Sequence, residues 1–521
     1  MSFRILSCLA VVGTAAASAP VQAAVPNLPS NASIIAVVAA PAQSMQRLEA
    51  MAGRIGMAPP NAKAGWIEQH PMLADFRGQI DFRRPIVVAT TMPKLQPGMD
   101  PSAEVLALLP ITPKANVEKL VATLSGASKL ASRREGGYLL IASQRSLLSK
   151  KARKRVLTAQ DLASAKTLDI AVLSSPGALD GKGLEQAMGG SGADAEQAVA
   201  KALLRTLLEM SQEGAAEGKM ALMGLRFAKD GLRGLSRTFL NPKSDMARWT
   251  AAYKPTTAPL IQGHAVGPMM ASLGFLSDAD SALAFAQTVF RRTRARLTKQ
   301  QVKTLDTMQA FLPMIAASLR SQDRMSLVAR AGRGSGPTFV ALLPHLEGKM
   351  LDMVEELKAY PADKKAKLPP YRQGQLDANT RIYVVDLGDR SLVAVGVARL
   401  DLPELIAEAN KGTVPMKGDA RYRAARAALP KKLVMEMYLD PGPMLGLALQ
   451  SGQAAAFRPM AKLAGTLPPV AAGVTVKGST VEGHMYVGDG VLGLAGMVAS
   501  MMLQERAHTS GPRGPTPHRG R

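Results

Sequence analysis

Leu106-Ala107-Leu108-Leu109-Pro110 is written a second time, as Val340-Ala341-Leu342-Leu343-Pro344. The match stands in a series. Before it, Arg84-Pro-Ile-Val-Val-Ala89 corresponds to Arg324-Met-Ser-Leu-Val-Ala329. After it come two helix-like stretches, Asn116 to Leu124 and Lys349 to Leu357. Gly137-Tyr-Leu-Leu-Ile-Ala142 then resembles Ser391-Leu-Val-Ala-Val-Gly396, and Leu168 to Pro176 resembles Leu433 to Pro441. Each series closes on a hairpin signal, Lys229-Asp230-Gly231 in one and Lys477-Gly478-Ser479 in the other. Matches in the same order at a long period indicate an internal repeat.

The repeated units are short apolar runs set between longer helical patterns. Leu283, Ala286, Phe290, Thr293 and Leu297 fall on one helical face, and Val199, Leu203, Leu207 and Met210 on another. Ser277-Asp278-Ala279-Asp280 has the form of a helix N-terminus. Hairpins and helices without regular βαβ alternation predict an α+β chain. The expected architecture is two tandem similar domains, residues 24–257 and 258–505, each an antiparallel sheet covered by helices on one face. The join is expected near Pro255 to Pro259.

The 521-residue chain is 47% hydrophobic and 20% charged, a globular composition with length for more than one core. This composition excludes collagen-like and coiled-coil chains. One cysteine excludes a disulfide scaffold. The N-terminus reads as a signal peptide over residues 1–23. Arg4 is its only charge, Ile5 to Ala17 is apolar, and Val21-Gln22-Ala23 supplies a small-residue cleavage site. Cleavage after Ala23 removes Cys8, the sole cysteine. Val491 to Leu503 is short for a bilayer span and reads as a core helix, so no transmembrane helix is expected in the mature chain. Residues 506–521 are expected to be a disordered basic tail.

Motifs of catalysis are scarce. Gly488-Asp-Gly490-Val-Leu-Gly493 matches a dinucleotide fingerprint as a string but has no second strand or following acid, so it reads as a strand-to-helix turn. Gly189-Gly190-Ser191-Gly192-Ala193 falls one residue short of a nucleophile elbow. The six histidines lack zinc-ligand spacing, and neither cofactor nor metal is expected. Glu482, His484 and Tyr486 alternate along one strand face and could move protons. The plainer reading makes them the solvent side of that strand, with Val481, Met485 and Val487 inward.

Charge is the one positive clue. The net charge is +24. Lys150, Lys151, Arg153, Lys154 and Arg155 form one cluster, and Arg292, Arg296, Lys299 and Lys303 form a helical stripe. Both are candidate contacts for an anionic polymer. Aromatics at 4% and the export signal argue against specific nucleic-acid binding.

The signal peptide, the paired halves, Leu-Ala-Leu-Leu-Pro and the strand end at Pro176 and Pro441 together resemble secreted bacterial proteins of a domain-of-unknown-function type with duplicated α+β halves. That resemblance covers about residues 30–490 and implies an exported or envelope protein. It supplies no catalytic residues. The expected function is a non-enzymatic binding or scaffold protein of the cell envelope, periplasmic or extracellular. Its partner would be an anionic envelope polymer or another envelope protein. The competing readings are a hydrolase with its site between the domains and a protein–protein interaction module.

Overall fold

The computed structural model describes residues 25–498 apart from 60–61, 63–64, 68–75, 92–103, 126–129, 176–194, 217–218, 265–268, 311, 332–336, 347–350, 352–356, 364, 366–367, 377, 397–399 and 451–457. Residues 1–23, expected to be a signal peptide, together with Gly189 to Ala193, most of Lys349 to Leu357 and residues 506–521, lie outside the described residues.

The first half contains β1 (Ile34–Val38), β2 (Ile86–Thr91), β3 (Glu104–Pro110), β4 (Ala131–Glu135), β5 (Tyr138–Ala142), β6 (Ile170–Ser174), β7 (Ala221–Ala228) and β8 (Gly231–Phe239). The second contains β9 (Met269–Leu276), β10 (Arg324–Ala331), β11 (Pro337–Pro344), β12 (Lys358–Tyr360), β13 (Tyr371–Gln375), β14 (Arg381–Asp386), β15 (Arg390–Gly396), β16 (Met435–Leu439), β17 (Val470–Lys477) and β18 (Thr480–Gly488). Among them run the helices α1 (Pro41–Arg54), α2 (Val117–Ser125), α3 (Ala159–Lys166), α4 (Ala195–Gly214), α5 (Asp245–Ala251), α6 (Ala279–Arg294), α7 (Lys299–Ala310) and α8 (Leu312–Ser321). The later helices are α9 (Leu402–Lys411), α10 (Pro415–Gly418), α11 (Ala420–Ala427), α12 (Pro441–Gln450) and α13 (Arg458–Ala464). Residues 489–498 are also helical.

The fold is α+β, and every strand pairing is antiparallel. The first half pairs in the order β4-β5-β3-β2-β1-β6-β7-β8. The second pairs as β14-β15-β11-β10-β9-β16-β17-β18, the same order, with β13 and β12 added outside β14. The halves do not form two sheets. β8 pairs with β18 along its whole length, from Gly231 opposite Gly488 to Phe239 opposite Thr480, so the eighteen strands among the described residues make one sheet. Two equivalent strands meet there, and exchanging them reproduces the pairing: a local twofold axis passes between Leu235 and His484.

The helices interlock across this axis. Trp249 of α5 stacks on Phe285 of α6, 4.4 Å between ring centroids, so the helix after β8 packs on the helix after β9. Conversely, a Cβ at Gly493 would lie 3.3 Å from the Ile55 carbonyl oxygen, which places helix 489–498 at the end of α1. Arg54 clasps Asp489 at 2.5 Å on one side, and Arg292 reaches Asp245 at 3.2 Å on the other.

The sheet has two unlike faces. One carries a core under α3, α9, α11 and the segment between the halves, including Ile35, Leu108, Leu140, Val328, Tyr438 and Leu392. The segment at Pro255 to Pro259 is fixed by a bridge between Thr256 and Leu433, and Glu436 accepts the Leu260 N–H at 2.8 Å. A leucine seats over a glycine twice. A Cβ at Gly224 would meet the Ile170 carbonyl oxygen and Leu168 Cδ1 at 2.6 Å; one at Gly473 would meet Leu433 Cδ2 at 2.9 Å. Only glycine lets those leucines descend onto β7 and β17. The other face carries α1 and α2 over a second core in the first half, with Met45, Ile86, Val88, Leu120 and Ile141. The outer part of the first half is therefore covered on both faces, where one face was expected.

Candidate apolar trough at the centre of the sheet

The second face changes character at the centre. Following the registers across β6, β7, β8, β18, β17 and β16, not one residue on this face is charged. Two cross-strand rows form its middle. One runs Val172, Met223, Ser236, Gly483, Val474 and Met435; the next runs Ile170, Leu225, Gly234, Met485 and Ala472. They floor a trough of about 460 Å³, a volume typical of small-molecule sites. Met223 is 52% exposed, and most of the other floor residues are half-buried.

The local sequence explains the shape. Gly234 and Gly483 occupy equivalent positions of β8 and β18, side by side on this face. The Met485 side chain lies across Gly234, 3.1 Å from where a Cβ would stand, and Ser236 Oγ lies over Gly483. Methionine is flexible and polarizable, and it adapts to the shape of what it touches. α1 packs against β7 and α5 against β17, flanking the floor.

The opposite face of the same strands holds Glu482, His484 and Tyr486. Their surroundings invert the expected polar-out arrangement. Tyr486 belongs to the buried core, while Met485 lines the open trough. Arg237 Nε donates to Glu482 at 2.6 Å. His484 Nε2 stands 3.5 Å from Glu482, and burial lowers its pKa. Tyr486 Oη donates to the Asp230 carbonyl at 3.1 Å, and the Arg233 guanidinium lies over its ring. These groups join β8 to β18.

The arginines of the two basic groups are engaged with the protein. Arg153 is 2% exposed and pairs with Glu135 at 2.6 Å, which holds that carboxyl below its ordinary pKa. Arg155 donates to the Ala32 carbonyl. Arg292 pairs with Glu213 and Asp245, and Arg296 with Glu209. That stripe clasps α6 to α4 and α5, with Thr293 bonded to Thr206 beneath it. Lys150, Lys151, Lys154, Lys299 and Lys303 remain exposed.

Three buried polar sites had no sequence signal. His264 Nε2 lies 2.8 Å from Ser326 Oγ, and burial drives its pKa down to about 3. Glu436 and Asp440 are buried under α11, and burial raises both carboxyls despite Arg426 and Arg421 beside them. These groups fasten the segment between the halves and the end of β16. Asp278 caps α6 by accepting the Ser281 N–H, while Ser277 Oγ donates to the Gln322 carbonyl. Among the described residues no group of metal-ligating side chains comes together, and no helix is long and apolar enough to cross a membrane.

Comparison with protein-family models, with curated proteins and with solved structures finds no match to this chain.

Proposed function

We propose that this chain is an exported, non-enzymatic binding protein of the bacterial cell envelope, and that it takes an apolar partner in the central trough. One observation carries the binding part of this reading. A chain of net charge +24 keeps an uncharged, half-exposed face across six strands at the junction of its halves. Exposed contiguous apolar surface is costly to maintain and marks interaction sites. The export part rests on the N-terminal pattern; Leu28, five residues after Ala23, is fully buried.

A photoactivatable apolar probe tests the site. Incubated with the folded chain and irradiated, it should label peptides containing Met223 and Met485. Labelling that misses β7 and β18, or that appears only after denaturation, would overturn the reading. A chain recovered from the cell exterior or periplasm should begin at Ala24.

A further inference from the structure

We infer that the occupant of the trough is a single linear hydrocarbon chain, the tail of an amphiphile, lying across the strands and touching both halves. The inference rests on the binding reading above and names its ligand class. The long axis crosses six strands, about 24 Å at the ~4.8 Å strand spacing. The floor is two cross-strand rows, about 7 Å apart along each strand. A helix is 10–12 Å across with its side chains and would not settle between such rows. An alkyl chain would, with van der Waals contact on both sides.

Hydrogen bonding argues the same way. Each floor strand is paired on both sides, so the sheet has no edge here to bond an incoming strand. An extended peptide would leave peptide groups stranded over methionine, leucine and valine, each at a desolvation cost. A hydrocarbon asks for no partner. The absence of charge on the floor complements a tail and not a headgroup, and Met485, folded over Gly234, can move aside for it.

The mature chain would be titrated with a fluorescent long-chain fatty acid below its micelle concentration, and separately with a fluorescent apolar peptide. Met223→Glu sets a carboxylate on the floor at a half-exposed position, so folding should be retained, with an unchanged Tm. Fatty-acid affinity should fall about tenfold or more. Arg226→Glu makes a charge change on the opposite face of the same strand and should leave affinity unaltered. Peptide binding that Met223→Glu abolishes, without fatty-acid binding, would overturn the hydrocarbon inference and leave the binding reading standing. No binding of either probe would sink both.

Discussion

Arg237→Glu tests how the halves are joined. The native Arg237 Nε lies 2.6 Å from Glu482 Oε1, with side chains 30% and 23% exposed. At an effective dielectric near 20 that contact is worth about 6 kcal/mol of gross attraction. Both groups give up hydration and rotamer freedom to make it. A hydrogen bond between charged groups nets about 1.5–3 kcal/mol, and partial exposure puts this one near the lower bound. Arg237→Glu loses that and sets two carboxylates together, so about 2–3 kcal/mol of destabilisation is expected. Glu482→Arg should do the same, opposite Arg237. The double exchange restores an ion pair across the same ladder position and should recover most of the loss. Urea unfolding of the four proteins, run above pH 7 to keep His484 neutral, gives the coupling energy. A value of about 4 kcal/mol is expected, the sum of the two single losses less the small residual loss of the double exchange. Single effects that add to within about 0.5 kcal/mol would refute the reasoning, because independent sites behave that way.

Two further outcomes follow from the core. Gly224→Ala should cost about 1–3 kcal/mol by overpacking against Leu168 and the Ile170 carbonyl, whereas Gly53→Ala in α1, with no atom within 4 Å of the new Cβ, should be neutral or stabilising in thermal melts. His264 must stay neutral to remain buried, so its contribution is complete above its unfolded pKa near 6.5 and is lost as pH falls toward about 3. Glu436 and Asp440, raised by burial, have the opposite sign: their contribution is present in acid and lost as pH rises through their folded values. The histidine is isolated by comparison with His264→Gln, and between pH 7 and 5 the native chain should lose about 2 kcal/mol more than the variant. Parallel stability curves would count against this assignment.

Strand existence was easier to read from the sequence than strand register. Leu106 to Pro110 and Val340 to Pro344 occupy β3 and β11, the third strand of each half. The string match at β2 is one residue out. Val87 pairs with Leu108 and Ser326 pairs with Leu342, so Val87 is equivalent to Ser326, whereas the strings align it with Leu327. Apolar runs look alike at either offset, and a one-residue slip changes faces: Val87 is fully buried and Leu327 is 40% exposed. The joining of the halves was not legible, because a strand shows that it needs a neighbour but not which one. On β18 alternation separated the faces, but which face is open depends on helices far away in the chain. The ion pairs of Arg153, Arg292 and Arg296 could not be read from the basic runs, because their partners Glu135, Glu213 and Glu209 stand on other elements.

The pairing of β8 with β18 sets a clock on biosynthesis. β8 is complete at residue 239, and its neighbour, the last strand among the described residues, ends at residue 488. At ordinary elongation rates that delay is on the order of tens of seconds. Throughout it the first half would present an unpaired nine-residue edge bordered by an uncharged face, a template for pairing with other chains. A chain held unfolded until it has left the cytoplasm escapes that interval, since both edges then emerge before either half has set. The export proposed above would suit this topology: the sheet would close with β18, the last strand among the described residues, on the far side of the membrane.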